Sequence, residues 1–145
     1  MTRIGRARTA ACLLAALAIA ATSCGGDGGV GATLSDFHID LGETSATAGE
    51  VTFNIQNDGP SAHEFVVFKT DLAPDALPTI EDENGLELVD EEGAGASLEL
   101  VDEAEDIAPD SSTDLTVTLA AGSYVIICNI PSHYQQGMHA SFTAN

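Results

Sequence analysis

From residue 32 onward, apolar and polar positions alternate in short runs. In residues 50–57 (EVTFNIQN), Val51, Phe53 and Ile55 share one face, and Thr52, Asn54 and Gln56 share the other. Residues 114–119 (DLTVTL) repeat the pattern with Leu115, Val117 and Leu119. A period of two predicts strands with one buried face. Residues 32–41 (ATLSDFHIDL) and 139–144 (HASFTA) are predicted as a first and a last strand, and 64–69 (EFVVFK) and 123–128 (SYVIIC) as denser apolar strands. Asn57-Asp58-Gly59-Pro60 and Ala121-Gly122 are turn signals between them. Seven or so short strands separated by turns predict an all-β, antiparallel β-sandwich.

Two stretches break the pattern. Residues 71–106 hold no aromatic residue, and 12 of the chain's 23 Asp and Glu lie between Glu81 and Asp106. This predicts a surface excursion with one or two short helices or irregular strands. The other stretch is the beginning. Arg3, Arg6 and Arg8 precede an unbroken apolar run, Ala10 to Ala21 (AACLLAALAIAA), and then Ala21-Thr22-Ser23-Cys24. A basic start, a short apolar centre and small residues read as an export signal. The run is too short for a bilayer, which takes roughly 20 residues. Small residues before Cys24, with a Gly/Asp stretch after it, resemble the lipobox of bacterial lipoproteins, although Ala21 stands where that pattern usually has Leu. The resemblance implies cleavage before Cys24 and a lipid on its thiol. The alternative is ordinary signal cleavage that leaves Cys24 as a free thiol. The expected layout is a signal peptide at 1–23, a lipid-anchored flexible linker at 24–31 and one domain at 32–145.

Processing sharpens the charge and the cysteine count. Past Cys24, Lys69 is the single Lys or Arg against all 23 acidic residues. Such a surface repels nucleic acid and anionic lipid. The expected partners are proteins with basic surfaces, with no nucleic acid and no membrane contact beyond the lipid. A simply well-solvated surface is the alternative. Cys12 falls within the signal and Cys24 at its end, so Cys128 is the remaining thiol of an exported domain. An unpaired thiol in an oxidising compartment is open to damage unless it has a use, and a metal bond is one.

Cys128 begins Cys128-Asn129-Ile130-Pro131-Ser132-His133-Tyr134-Gln135-Gln136-Gly137-Met138, a C-x4-H-x4-M spacing at the end of a predicted buried strand. His63, where a turn enters a strand, is a fourth candidate. Thiolate and thioether favour Cu(I), and imidazole serves both copper oxidation states. Three such donors on one loop, with a fourth from a distant turn, suit an ion that changes charge while its ligands stay still.

Together with Asn57, Gly59 and His63, the loop resembles the type 1 copper site of the cupredoxins, with the loop spacing of the auracyanin and rusticyanin branch. The resemblance runs from about Phe37 to Phe142. It implies a Greek-key sandwich and one type 1 copper, with His63, Cys128 and His133 equatorial and Met138 axial. Gln135 or Gln136 is an alternative axial donor. The resemblance also implies that the backbone N–H of Glu64 donates to the Cys128 sulfur. Pro131 has no N–H to give. Ile130, Pro131 and Phe65 should keep the site dry, favouring the less charged Cu(I) and a fairly positive reduction potential. His38 and His139 receive no role.

The expected function is single-electron transfer between redox protein partners, cytochrome-like or oxidase-like, by a monomer that is lipid-anchored at the outer face of the bacterial cytoplasmic membrane. A periplasmic or secreted soluble protein is the alternative location. A copper chaperone or storage protein is the alternative function, although the chain has only two Met, one of them Met1. A Cys–His hydrolase needs an exposed thiolate beside a base, which a cysteine ending a buried strand does not offer. No enzymatic activity is therefore expected.

Overall fold

The computed structural model describes residues 29–92 and 97–145. The signal, Cys24 and the first part of the linker lie outside them. Two sheets face each other. The first contains β1 (Val30–Ser35), β2 (His38–Leu41), β4 (Gly49–Asn57) and β9 (Ser112–Leu119), in the order β2-β1-β4-β9. The second contains β3 (Ser45–Ala46), β5 (His63–Lys69), β8 (Glu99–Ile107), β10 (Gly122–Ile127) and β11 (His139–Ala144), in the order β3-β11-β10-β5-β8. A small hairpin, β6 (Thr79–Glu81) with β7 (Glu87–Val89), stands apart. Among the described residues no helix is long and apolar enough to cross a membrane.

The alternating faces land where the period of two puts them. Val51, Phe53 and Ile55 of β4 and Leu115, Val117 and Leu119 of β9 point into the space between the sheets. There they meet Phe65, Val67, Ile126 and Phe142 of the second sheet. The Phe53 ring lies 5.2 Å from those of Phe65 and Phe142. Tilted and edge-on aromatic pairs at this distance add about 0.5–1.5 kcal/mol each beyond the area they bury.

The structure departs from the sequence expectations in three respects: the first strand and its junction with the linker, the direction of strand pairing, and the acidic stretch. The predicted first strand is a hairpin, β1 and β2, turning at Asp36 and Phe37. Sheet pairing starts at Val30, which is buried and opposes Phe53, so the end of the expected linker is already part of the sandwich. The sheets are mixed rather than wholly antiparallel, because β1 runs parallel to β4 and β3 parallel to β11. Chain segments that change sheets come back in the same direction, which local alternation cannot reveal.

The third departure is the acidic stretch. Its last part, β8, is a full edge strand paired with β5. Acidic side chains on an open edge discourage pairing with another chain. Its earlier part folds over the outer face of the second sheet. Leu77, Val89 and Leu98 pack there with Val66, Phe68, Val125, Ile127 and Tyr134. This explains why Phe65, Val66, Val67 and Phe68 form a continuous apolar run: β5 is buried on both faces.

Candidate metal centre

The site lies at one end of the sandwich, where β5 begins and β10 ends. Asn57 delivers His63. Its buried amide donates to the carbonyls of Ser61 and Ile107, each at 2.8 Å, and accepts the Gly59 N–H at 2.9 Å. These bonds close the turn between β4 and β5. A Cβ at Gly59 would stand 3.0 Å from His63 Nε2 and 3.2 Å from Asn57 Oδ1, so the turn needs glycine to pass this close.

The loop from Cys128 to Met138 is closed at its base by the Cys128 N–H donating to the Met138 carbonyl at 3.1 Å. Inside it, His133 N–H donates to Ile130 O at 2.9 Å, and Met138 N–H donates to His133 O at 3.2 Å. A single 3-10 turn, Tyr134–Gln136, ends at left-handed Gly137. Asn129 fastens the loop to β7. Its Oδ1 accepts the Val89 N–H at 2.7 Å, and its Nδ2 donates to Val89 O at 3.1 Å and to Glu91 Oε1 at 2.7 Å. Ser132 N–H donates to Glu87 O at 2.7 Å, and Leu77 N–H donates to the Tyr134 hydroxyl at 2.9 Å. The acidic excursion therefore holds the loop as well as covering the sheet.

The donors converge. Cys128 Sγ lies 3.4 Å from His133 Nδ1 and 3.8 Å from His63 Nδ1, and the three donor atoms all fall within 4.8 Å of one another. Cys128 and His63 are fully buried. Met138 is fully buried in the same cluster as Cys128. Gln136 uses its amide on Ser132 O at 3.2 Å. His38 and His139 do not join the group. His38 is exposed on β2, and the ring of His139 leans on Tyr134 at 5.4 Å.

The β5–β10 ladder ends at Val66 and Ile127, and beyond it the Glu64 N–H donates to Cys128 Sγ at 3.3 Å. That is the donor the sequence resemblance implied. The Ile130 N–H also reaches the sulfur, so Pro131 does not leave it with a single donor.

Burial favours the neutral form of every donor. It pushes the Cys128 thiol up, against the two N–H bonds that pull it down. It pulls His63 and His133 below their usual value, against the nearby Asp36 carboxylate. Neutral imidazoles keep a lone pair for a metal, and a metal cation would draw the thiol proton off. Two imidazole nitrogens, a thiolate and a neighbouring thioether suit copper rather than a hard cation.

Two residues at the site had no role in the sequence reading. Asp36 Oδ1 is 3.3 Å from His63 Nε2, and the Phe37 ring stands edge-on to His133 at 5.2 Å. Both belong to the β1–β2 turn. The signal that was available is the Asp in a turn, a common device with many uses.

No family model and no curated protein matches the chain. Solved structures do. Reduced auracyanin from the photosynthetic bacterium Roseiflexus castenholzii is 21% identical, with 79% of this chain and 94% of that one covered, at a TM-score of 0.57. Auracyanin B is 19% identical over 80% of this chain and 87% of its own, at 0.55. Rusticyanin from Thiobacillus ferrooxidans is 19% identical over 80% and 75%, also at 0.55. The chain has the cupredoxin fold. Within that fold, the solved structures it resembles include auracyanins and rusticyanin.

Proposed function

We propose that the protein is a type 1 copper protein that carries single electrons between redox partners. The observation that carries this reading is the convergence of His63 Nδ1, His133 Nδ1 and the buried, unpaired Cys128 Sγ. Rusticyanin, which shares the fold, is a copper protein. His63, Cys128 and His133, with the buried Met138 beside them, would hold the ion. Copper at these donors supplies a one-electron couple. The chain's own residues do the rest. The loop bonds to β7 and the Asn57 turn keep the donors still through the redox change. Phe65, Ile130 and Pro131 exclude water, and their low polarity favours a positive potential. His133, only partly buried, offers the exit for the electron. No activity as an enzyme is assigned.

The anchor is part of the same proposal. Cleavage before Cys24 and a lipid on its thiol would hold the domain at the outer face of the cytoplasmic membrane, where basic redox partners could dock. Mass spectrometry of protein from an expressing bacterium reads the lipid directly, and a soluble product starting elsewhere would refute it.

Adding Cu(II) to the purified protein should give an intense visible thiolate-to-copper absorption band. Cys128→Ser should abolish the band and weaken copper binding severely. Equal copper binding by both proteins would end the assignment. A colourless, oxidation-resistant Cu(I) form in the unaltered protein would favour copper storage or delivery instead.

A further inference from the structure

The β1–β2 hairpin closes at Ser35 and His38, leaving Asp36 and Phe37 as its two turn residues. Both touch the site, each at a different histidine. Asp36 Oδ1 faces His63 Nε2 at 3.3 Å. The buried Nε2 has no other partner among the described residues. Ser61 Oγ donates to the second Asp36 oxygen at 3.5 Å, a long bond that steadies the carboxylate. The next residue, Phe37, packs its ring edge-on against His133, with the planes at 88°.

The backbone of Phe37 is left-handed, with φ 62°. That is a place for glycine or asparagine, and a bulky aromatic there is an outlier. Nothing in the turn itself requires a ring. Phe37 is 36% exposed, so burial alone does not fix where its ring lies. What the ring does is bear on an imidazole that also meets the second histidine ring at 5.2 Å.

We propose that Asp36 and Phe37 are positioning residues that set the two imidazoles toward the Cys128 sulfur. The inference rests on the copper reading for its redox consequence, but not for its geometry. When Nδ1 accepts from the thiol or binds a metal, neutral His63 carries its proton on Nε2, and that is the nitrogen Asp36 faces. The carboxylate selects this tautomer and makes the ring a stronger donor, as outer partners of metal-bound histidines do. It also places a negative charge beside the ligand, which favours the more highly charged Cu(II). Asp36 thus works against the dry surroundings that favour Cu(I). Phe37 limits how far the half-buried His133 can swing out.

The test uses the full chain and three variants. Asp36→Asn should keep the thiolate-to-copper band, lower Cu(II) affinity about tenfold and change Cu(I) affinity much less. For a one-electron couple a tenfold difference raises the reduction potential by about 59 mV. Asp36→Glu should restore part of the shift. In the metal-free protein, nitrogen NMR should find His63 with its proton on Nε2, and a mixture of tautomers in Asp36→Asn. Phe37→Gly relieves the backbone and removes the ring. It should stay folded yet show faster His133 ring motion and faster copper loss. Unchanged potential and tautomer in Asp36→Asn, with the band retained, would overturn the Asp36 role. Unchanged His133 motion in Phe37→Gly would overturn the Phe37 role. If the unaltered protein forms no band, the copper reading fails by itself, and the metal-free NMR still decides the positioning claim.

Discussion

The two sheets bury their inner faces against each other but treat their outer faces oppositely. On the first sheet the outer face is wet. Thr52 and Thr116 hydroxyls pair across β4 and β9 at 2.8 Å, and Asn54 donates to Asp114 at 2.9 Å, both exposed. On the second sheet the corresponding face is dry, roofed by Leu77, Val89 and Leu98. The donor loop leaves from the dry sheet. Its three fastenings, through Asn129, Ser132 and Tyr134, all go to the roof. A ligand loop held on both sides moves less than one hanging from a sheet edge, which is what a redox ion needs from its donors. The acidic excursion is therefore part of the frame of the site.

The largest expected break in this comparison is Phe68→Ala. Phe68 is fully buried between β5 and the roof. Removing a buried Phe typically costs about 3–5 kcal/mol. Thr116→Ala, on the wet face, loses one exposed hydroxyl pair and should cost less than about 1 kcal/mol. Denaturant melts of the two metal-free variants measure the contrast. Similar losses would mean that the roof does not bury the second sheet in solution.

This contrast also marks how far the sequence could be read. β4 and β9 were legible because one wet face makes the pattern alternate. β5 and β10 were legible as strands, but nothing local says what covers their second face. The cover, Leu77, Val89 and Leu98, is three apolar residues scattered among carboxylates. They become a layer only when the chain folds back. The loop donors were legible because three of them sit within 11 residues of sequence. His63 needed the resemblance, since its partner Cys128 is 65 positions away. Asp36 carried only the weak signal of a turn-forming residue and Phe37 none, because a turn residue reveals its neighbours only in three dimensions.

Asn129→Ala sharpens the comparison at the seam. It leaves the buried Val89 N–H without its acceptor. An orphaned buried donor costs about 1–3 kcal/mol. The loss should appear as a lower melting temperature of the metal-free protein and as faster copper release, because Cys128 is the next residue. A stability loss with unchanged copper release would detach the roof from the site.

The smallest effect expected is a pH dependence belonging to the second sheet. A groove of about 450 Å³ runs between the roof and β8, and Glu64, Glu91, Glu103 and Glu105 all line it. Burial first, then Glu105, Glu103, Glu91 and Asp106, push Glu64 from the usual 4.5 up to about 6. Burial, then Glu91, Glu105 and Asp102, also raise Glu103. In this window the folded state binds more protons than the unfolded chain, so stability falls as pH rises. The Glu64 contribution is complete below about 4.5, is lost as pH passes about 6, and stays flat above. Urea melts of the metal-free protein between these values should show the slope, and Glu64→Gln should flatten it. Salt should weaken the share due to repulsion and leave the share due to burial. A slope that rises with pH, or one that Glu64→Gln leaves intact, would place the titrating groups elsewhere than in this groove.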